Sequence, residues 1–415
     1  MKNTSIGLYL SNESNKNYIL EQIMANQFLR NYVDLSSLRG VLYSSITLNR
    51  LVEEEIQHDQ ILIQSKENSN LESMSSGQQK KALLKYLVAK KPQYMVLDDI
   101  YSNIDKETQQ SITSDFTHLA GTTLLIQLFF RKCDRLPFLD TIFTIDKKNE
   151  IVSKQDSETF EKSDVFLKKD SLGFTFPKEY TENHVDINPL VQLNAVSIQY
   201  VEKPILNKVS WTIKSGEFWQ LIGPNGSGKS TLLSIITGDN PRGYGQDMIL
   251  FGKKKGSGES IWDIKKQIGY FTPSMIAHFK RDDTVENMII SGLMDSVGLY
   301  MNPTDLQKDI AKNWLKILGE TYMNKTFQNL SLGQQRMVLV ARAMVKHPPL
   351  LILDEPTIEL DDVNSSLFIE MVNAIAAEKK IAILYVSHRD EPDLNPQKIF
   401  ELIPTPLGSE GKVRE

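Results

Sequence analysis

Gly223-Pro224-Asn225-Gly226-Ser227-Gly228-Lys229-Ser230-Thr231 follows the apolar run Phe218-Trp219-Gln220-Leu221-Ile222 and leads into Leu232-Leu233-Ser234-Ile235-Ile236. This order is that of a strand, a glycine-rich loop and a helix. Glycines at 223, 226 and 228 let the backbone wrap closely around phosphate, with amide N–H groups at the helix start pointing at the negative charge. Lys229 is placed to reach the β- and γ-phosphates, and Ser230 to offer a hydroxyl to Mg²⁺. The stretch predicts a nucleoside triphosphate site.

A second group of residues stands downstream. Leu350-Leu351-Ile352-Leu353-Asp354-Glu355-Pro356 reads as a strand buried on both faces that ends in two carboxylates. Such a pair also suits a helix start, where acids cap free amides. The surroundings favour chemistry, because Leu330-Ser331-Leu332-Gly333-Gln334 lies upstream and Val386-Ser387-His388 follows the apolar strand 381–386. Asp354 is then the residue that holds Mg²⁺, and Glu355 the one that orients and deprotonates the attacking water.

With these motifs in this order, the chain resembles the ATP-binding cassette (ABC) family of ATPases. Leu330 to Gln334 is similar to the family's Leu-Ser-Gly-Gly-Gln signature, with Leu332 in place of its first glycine, and Leu360-Asp361 is similar to the D-loop. The resemblance implies ATP and Mg²⁺ as ligands, His388 as the switch histidine on the γ-phosphate, and Tyr200 in Ser197-Ile198-Gln199-Tyr200 as the ring that stacks on adenine. It breaks after Ile268-Gly269-Tyr270-Phe271, where the family carries a glutamine that reaches Mg²⁺. Here stand Thr272-Pro273, and proline supplies neither a side-chain ligand nor an N–H.

The first half repeats the pattern in reduced form. Met74-Ser75-Ser76-Gly77-Gln78-Gln79-Lys80 parallels Leu330 to Arg336, Tyr94-Met95-Val96-Leu97-Asp98-Asp99 parallels the strand ending in Glu355, and Asn103-Ile104-Asp105 parallels Glu359-Leu360-Asp361. In the same register Leu10-Ser11-Asn12-Glu13-Ser14-Asn15-Lys16-Asn17 lies over Gly223 to Ser230. All three glycines are replaced, Glu13 brings a negative charge to the phosphate position, and Asn17 replaces the magnesium hydroxyl. Phe129, Phe130 and Arg131 stand where the switch histidine belongs, and Asp99 is one methylene shorter than Glu355. The first cassette is expected to lack the strands that would carry a base-stacking ring.

The signature segment of the first half is nearly intact. In the dimers that this chain resembles, nucleotide is sandwiched between the P-loop of one cassette and the signature of the other. One composite site is therefore expected: Gly223, Pro224, Asn225, Gly226, Ser227, Gly228, Lys229, Ser230, Thr231, Asp354, Glu355 and His388 opposite Ser75, Gly77 and Gln78. The expected fold class is α/β, as tandem P-loop ABC nucleotide-binding domains. Each has a parallel-core sheet with helices; the second adds an antiparallel β-subdomain and a helical subdomain, and the first is reduced.

Expected boundaries are 1–148 for the degenerate cassette, 149–188 for a polar, mixed-charge and irregular linker, and 189–415 for the full cassette. Val165-Phe166-Leu167 and Phe174-Thr175-Phe176 are the linker's apolar spots, suited to docking on a domain surface. Strands are expected near 191–200 and 209–213. A helix over 305–318 turns Leu306, Ile310, Trp314, Leu315 and Leu318 to a core. The shorter interval from Lys16 to Gln78 predicts a pruned helical arm in the first cassette.

Over 415 residues the net charge is −5, which gives no strong nucleic-acid signal. The single Cys133 fits a reducing compartment. No signal sequence precedes the first motif, and no apolar run nears the roughly 18 residues of a membrane span. The expected location is cytoplasmic, free or peripheral to the inner membrane.

Gly256-Ser257-Gly258-Glu259-Ser260-Ile261-Trp262-Asp263-Ile264-Lys265-Lys266-Gln267-Ile268-Gly269-Tyr270, with Ser291 to Tyr300 and Val345 to Pro348, resembles a narrower bacterial group, the molybdenum-associated tandem ATP-binding proteins, also called photorepair proteins. That group also lacks the loop glutamine. No residues here form a legible molybdate pocket. Three functions fit the sequence: a stand-alone ATPase, the energy subunit of a membrane importer with a permease partner, and an ATP-gated scaffold or ribosome-associated factor. Pairing of cassettes within one chain and pairing in a homodimer both remain open.

Overall fold

The structure is a computed structural model that describes residues 5–58, 63, 70–102, 104–163, 176–177, 187–201, 203–387 and 391–414. The chain divides into two compact units, residues 1–169 with 359–363 and residues 170–358 with 364–415.

The first unit carries one sheet: β1 (Ile6–Leu10), β2 (Gly40–Tyr43), β3 (Tyr94–Leu97), β4 (Leu124–Phe129), β5 (Thr141–Ile145) and β6 (Ile151–Asp156). Its order is β2-β3-β4-β1-β5-β6, parallel except for the final β5–β6 pair. Parallel strands need covered faces, and the strand β1 shows how its sequence provides for that. Ile6, Leu8 and Leu10 enter one apolar cluster with Ile19, Leu20 and Ile23 of α1 (Lys16–Met24). Tyr9 enters the opposite cluster, which also takes residues from α2 (Ser45–His58), α3 (Ser76–Ala89) and α4 (Lys106–Leu119).

β6 and the short helix α5 (Ser157–Lys162) correct the expected linker boundary, because both fall within 149–188. β6 is an edge strand whose residues alternate between half-buried and exposed, so its composition is polar. Phe160 of α5 is fully buried in the first unit's core.

The second unit repeats this sheet and adds another. Its strands are β7 (Val191–Tyr200), β8 (Lys203–Ile213), β9 (Phe218–Ile222), β10 (Met248–Leu250), β11 (Lys253–Lys254), β12 (Ile268–Phe271), β13 (Leu350–Asp354), β14 (Ala382–Val386), β15 (Lys398–Ile403) and β16 (Glu410–Arg414). The order β12-β13-β14-β9-β15-β16 matches the first unit strand for strand, and β11-β10-β7-β8 form the antiparallel sheet. That second sheet has no counterpart among the described residues of the first unit. Both sheets of the second unit share one apolar core with α6 (Lys229–Ile236) and α7 (Ile261–Lys266). β8 starts before the expected 209, because Lys203 pairs with Tyr200 in a hairpin.

Between β12 and α10 (Leu332–Met344) lie α8 (Val285–Ser291) and α9 (Asp305–Leu318), and α11 (Asp362–Ala377) follows β13. At the matching place the described residues of the first unit hold α2 and a single-turn 3-10 helix, Leu71–Ser73. On α9, Ile310, Trp314, Leu315 and Leu318 are buried as expected, but Leu306 is 54% exposed and does not join them. It sits in the first turn, next to the N-cap Thr304, with water on its side. Of the linker's apolar spots, Phe176 lies 5.7 Å ring to ring from Trp314. Val165 to Leu167, Phe174 and Thr175 fall outside the described residues. No described helix is long and apolar enough to cross a membrane.

Trp314 is the largest fully buried side chain of the arm. Trp314→Ala should lower stability by roughly 3–5 kcal/mol, measured by urea denaturation. A loss below about 1 kcal/mol would contradict this packing.

Candidate functional site

The glycine-rich loop joins β9 to α6. Gly228 is the N-cap of α6 with φ +91°, and no side chain caps the helix. A Cβ at this position would lie 2.9 Å from Ile205 Cγ2 and Leu206 Cδ2, so the loop is pressed against the β8 strand with no room for a side chain. The first amides of α6 therefore stay open toward an anion. Lys229 is buried and donates from Nζ to the carbonyls of Gly223 at 2.7 Å and Pro224 at 3.1 Å. Ser227 Oγ is buried with no hydrogen-bond partner, while Asn225, Gly226 and Ser230 are exposed and Thr231 is half-buried. The loop is a cradle with donors left over, which suits a phosphate chain.

β13 delivers the carboxylates. Leu350 to Leu353 are fully buried, and Asp354 is half-buried at the strand's C-terminal end. Burial, then the charge of Glu355, pushes the Asp354 carboxyl above the usual carboxylate range, whereas the Tyr270 hydroxyl and Lys229 oppose the rise. Glu355 has φ +50°, a left-handed conformation that costs a non-glycine residue free energy and turns the chain sharply after the strand. Arg336, fully buried on α10, holds that turn by donating to the Pro356 carbonyl at 2.7 Å. On the neighbouring strand, Tyr270 Oη donates to Asp354 Oδ2 at 3.2 Å. Pro273 opens a short 3-10 helix over 273–278, whose residues include no glutamine.

Tyr200 ends β7, 40% exposed. Its hydroxyl accepts from Asn240 Nδ2 at 2.8 Å, and Asn240 in turn binds Ser234 on α6, while the Arg242 guanidinium lies 4.7 Å from the ring centroid. The ring is thus tied to the helix that begins at the P-loop. Sequence reading missed Asn240, Arg242 and Tyr270, whose roles depend on tertiary contacts. His388 lies outside the described residues.

The matching loop in the first unit is closed by its own side chains. Asn15, at the position of Gly228, has φ −85° and caps α1 by accepting from the Tyr18 amide. The Asn15 amide donates to Asn149 Oδ1 at 2.7 Å, and Ser14 Oγ donates to the Asp146 carbonyl. Lys16 Nζ lies 3.2 Å from Asp98 Oδ1, a carboxylate that is almost wholly buried. Asp99 accepts from Ser45 Oγ at 3.0 Å. The Ser14 hydroxyl, the Asn15 and Tyr18 amides and the Lys16 ammonium are thus engaged inside the unit.

The two signature segments are built alike. Ser75 and Ser331 are N-caps, and Gln78 and Gln334 complete reciprocal capping boxes at the starts of α3 and α10. A Cβ on Gly333 would run into the Asn364 side chain, and one on Gly77 would meet Thr108 at 3.0 Å. Ser75 and Gln78 are exposed and Gly77 is half-buried. Lys80, the counterpart of Arg336, donates to the carbonyls of Asp99 and Ile100.

Mg²⁺ takes hard oxygen donors, and the two that the sequence suggests, the Ser230 hydroxyl and the Asp354 carboxylate, are of that chemistry. No three His, Cys, Asp or Glu residues converge among the described residues. A magnesium ion here would complete its shell with phosphate and water oxygens, as is usual for nucleotide-bound Mg²⁺.

Comparison with known proteins agrees with this architecture. The ABC transporter family matches residues 206–358. The chain is 33% identical over 393 residues to the ABC transporter ATP-binding protein ModF of Escherichia coli K12, covering 90% of this chain and 79% of that protein. It is 33% identical over 206 residues to the zinc uptake system ATP-binding protein ZurA of Listeria innocua, covering 49% of this chain and 77% of the relative. The fold of archaeal ABCE1 in a ribosome-bound assembly with Pelota spans 99% of this chain and 74% of that one, with a TM-score of 0.63 at 16% identity. With an ATP-binding protein matched along most of both chains, and with the P-loop and its carboxylates set in a twice-repeated α/β sheet, this chain belongs to the ABC family of ATPases.

Proposed function

We propose that the chain hydrolyses ATP at one site, built by the second cassette and completed by the signature helix of the first. The observation that carries this reading is the contrast between two helix starts. Gly228 leaves the amides of α6 without a side-chain cap, whereas in the first loop Asn15 caps the Tyr18 amide and gives its own amide to Asn149.

In this reading Gly223 to Thr231 bind the phosphates, Tyr200 stacks on the base, and Ser230 and Asp354 would hold Mg²⁺. Bound magnesium supplies positive charge to the β- and γ-phosphates. Glu355 orients a water in line with the γ-phosphorus and takes its proton as the new P–O bond forms, while the bond to the β-phosphate oxygen breaks and ADP leaves. Lys229 and the α6 amides offset charge on the transferred group, and His388 contacts its oxygens. Ser75, Gly77 and Gln78 bring the positive end of the α3 dipole to the same phosphate, while the capping box keeps the Ser75 and Gln78 amides for itself. The proposed organisation is a degenerate cassette, a linker and a full cassette, with nucleotide as the ligand.

Glu355→Gln should lower kcat by about 100-fold or more while nucleotide still binds; turnover within a few-fold of the parent would contradict the base assignment. Gly228→Ala should abolish nucleotide binding, since the backbone angle and the space both exclude a side chain, whereas Lys16→Ala should leave binding unchanged. Equilibrium binding of a fluorescent ATP analogue reads both, and the reverse pattern would overturn the choice of site. Ser75→Arg should suppress steady-state hydrolysis yet leave a single nucleotide bound. Full hydrolysis in that variant would remove the first cassette's signature from the site.

A further inference from the structure

The hydrogen bond from Tyr270 to Asp354 crosses between strands of the same sheet. In the second unit Phe271 lies opposite Leu353, the residue before Asp354, and Tyr270 lies opposite Ile352. In the first unit Tyr43 lies opposite Leu97, the residue before Asp98, and Leu42 lies opposite Val96. Leu42 therefore stands where Tyr270 stands. The two strand-end aspartates are held differently: Asp98 by the ammonium of Lys16 at 3.2 Å, Asp354 by a phenol at 3.2 Å.

The difference bears on what each carboxylate can do. An ammonium beside a carboxylate occupies the place of a cation, while a phenol donates one hydrogen bond and leaves the other oxygen available. Asp354 projects from the strand end at an angle that its own backbone does not fix, since rotation about χ2 is broad. A donor on the adjacent strand removes that freedom. The loop that follows Tyr270 supplies no glutamine, so the usual source of a further polar group near the metal is missing on this side.

We propose that Tyr270 is a positioning residue of the ATP site: its hydroxyl fixes Asp354 Oδ2 so that the carboxylate meets Mg²⁺ in one orientation. The inference rests on the reading of the second cassette as the Mg-ATP site. Outer partners of metal ligands act in this way, by orienting the ligand atom and restricting its motion.

Tyr270→Phe keeps the ring and removes only the hydroxyl. Mg²⁺ is titrated into the full-length chain with a fluorescent, non-hydrolysable ATP analogue, and the half-saturating Mg²⁺ concentration is read from nucleotide binding. The variant should need about 10- to 100-fold more Mg²⁺, with an unchanged affinity for nucleotide in EDTA and an unchanged melting temperature. In an Asp354→Asn background, adding Tyr270→Phe should change the Mg²⁺ requirement no further. Parent and Tyr270→Phe chains that titrate identically would overturn the inference while leaving the site intact. A full additional loss in the double variant would also overturn it. A parent chain whose nucleotide binding ignores Mg²⁺ would sink the reading of the site itself, and this inference with it.

Discussion

A loop that wraps phosphate in backbone amides must leave the following helix start uncapped, because a side chain on those amides takes the anion's place. Gly228 takes the open course: at φ +91°, and with Ile205 and Leu206 pressed against it, it presents bare amides at the head of α6. Asn15 takes the closed one at φ −85°, with its side chain on the Tyr18 amide. Everything else in the account follows from that choice, because Lys229, Ser230, Asp354 and Glu355 have a phosphate to act on only if the loop can receive one.

The sheets beneath the two loops are the same. Both units order six strands in the same sequence, and both place a residue at positive φ directly after the aspartate, Asp99 at +55° and Glu355 at +50°. A buried cation ties the signature helix to that turn in each, Lys80 in one and Arg336 in the other. The differing loops stand on sheets of the same strand order, since strands buried on both faces answer to packing and not to ligand. A cassette can lose nucleotide and keep the helix that presents its signature.

Much of this was legible in the chain itself. The glycine loop, the apolar strand ending at Asp354 and the 305–318 helix all carry local signals, in spacing and periodicity, and they stand where the sequence puts them. β6 was hidden because an edge strand needs no apolar face, so Ile151–Asp156 reads as polar linker. Leu306 fits the helical repeat but sits where α9 meets water. Tyr270, Asn240 and Arg242 could not be read at all, since cross-strand register and the approach of separate loops decide their partners. The decayed loop was legible as a loss of glycine, but not as a loop that Asn15 and Asn149 close.

The most direct measurement is a count of nucleotides by equilibrium dialysis of radiolabelled ATP against the Glu355→Gln chain with Mg²⁺, followed by photo-crosslinking with an azido analogue and peptide mapping. One nucleotide per chain is expected, crosslinked to the second unit. Two tightly held nucleotides, or label recovered in the segment that contains Lys16, would contradict it.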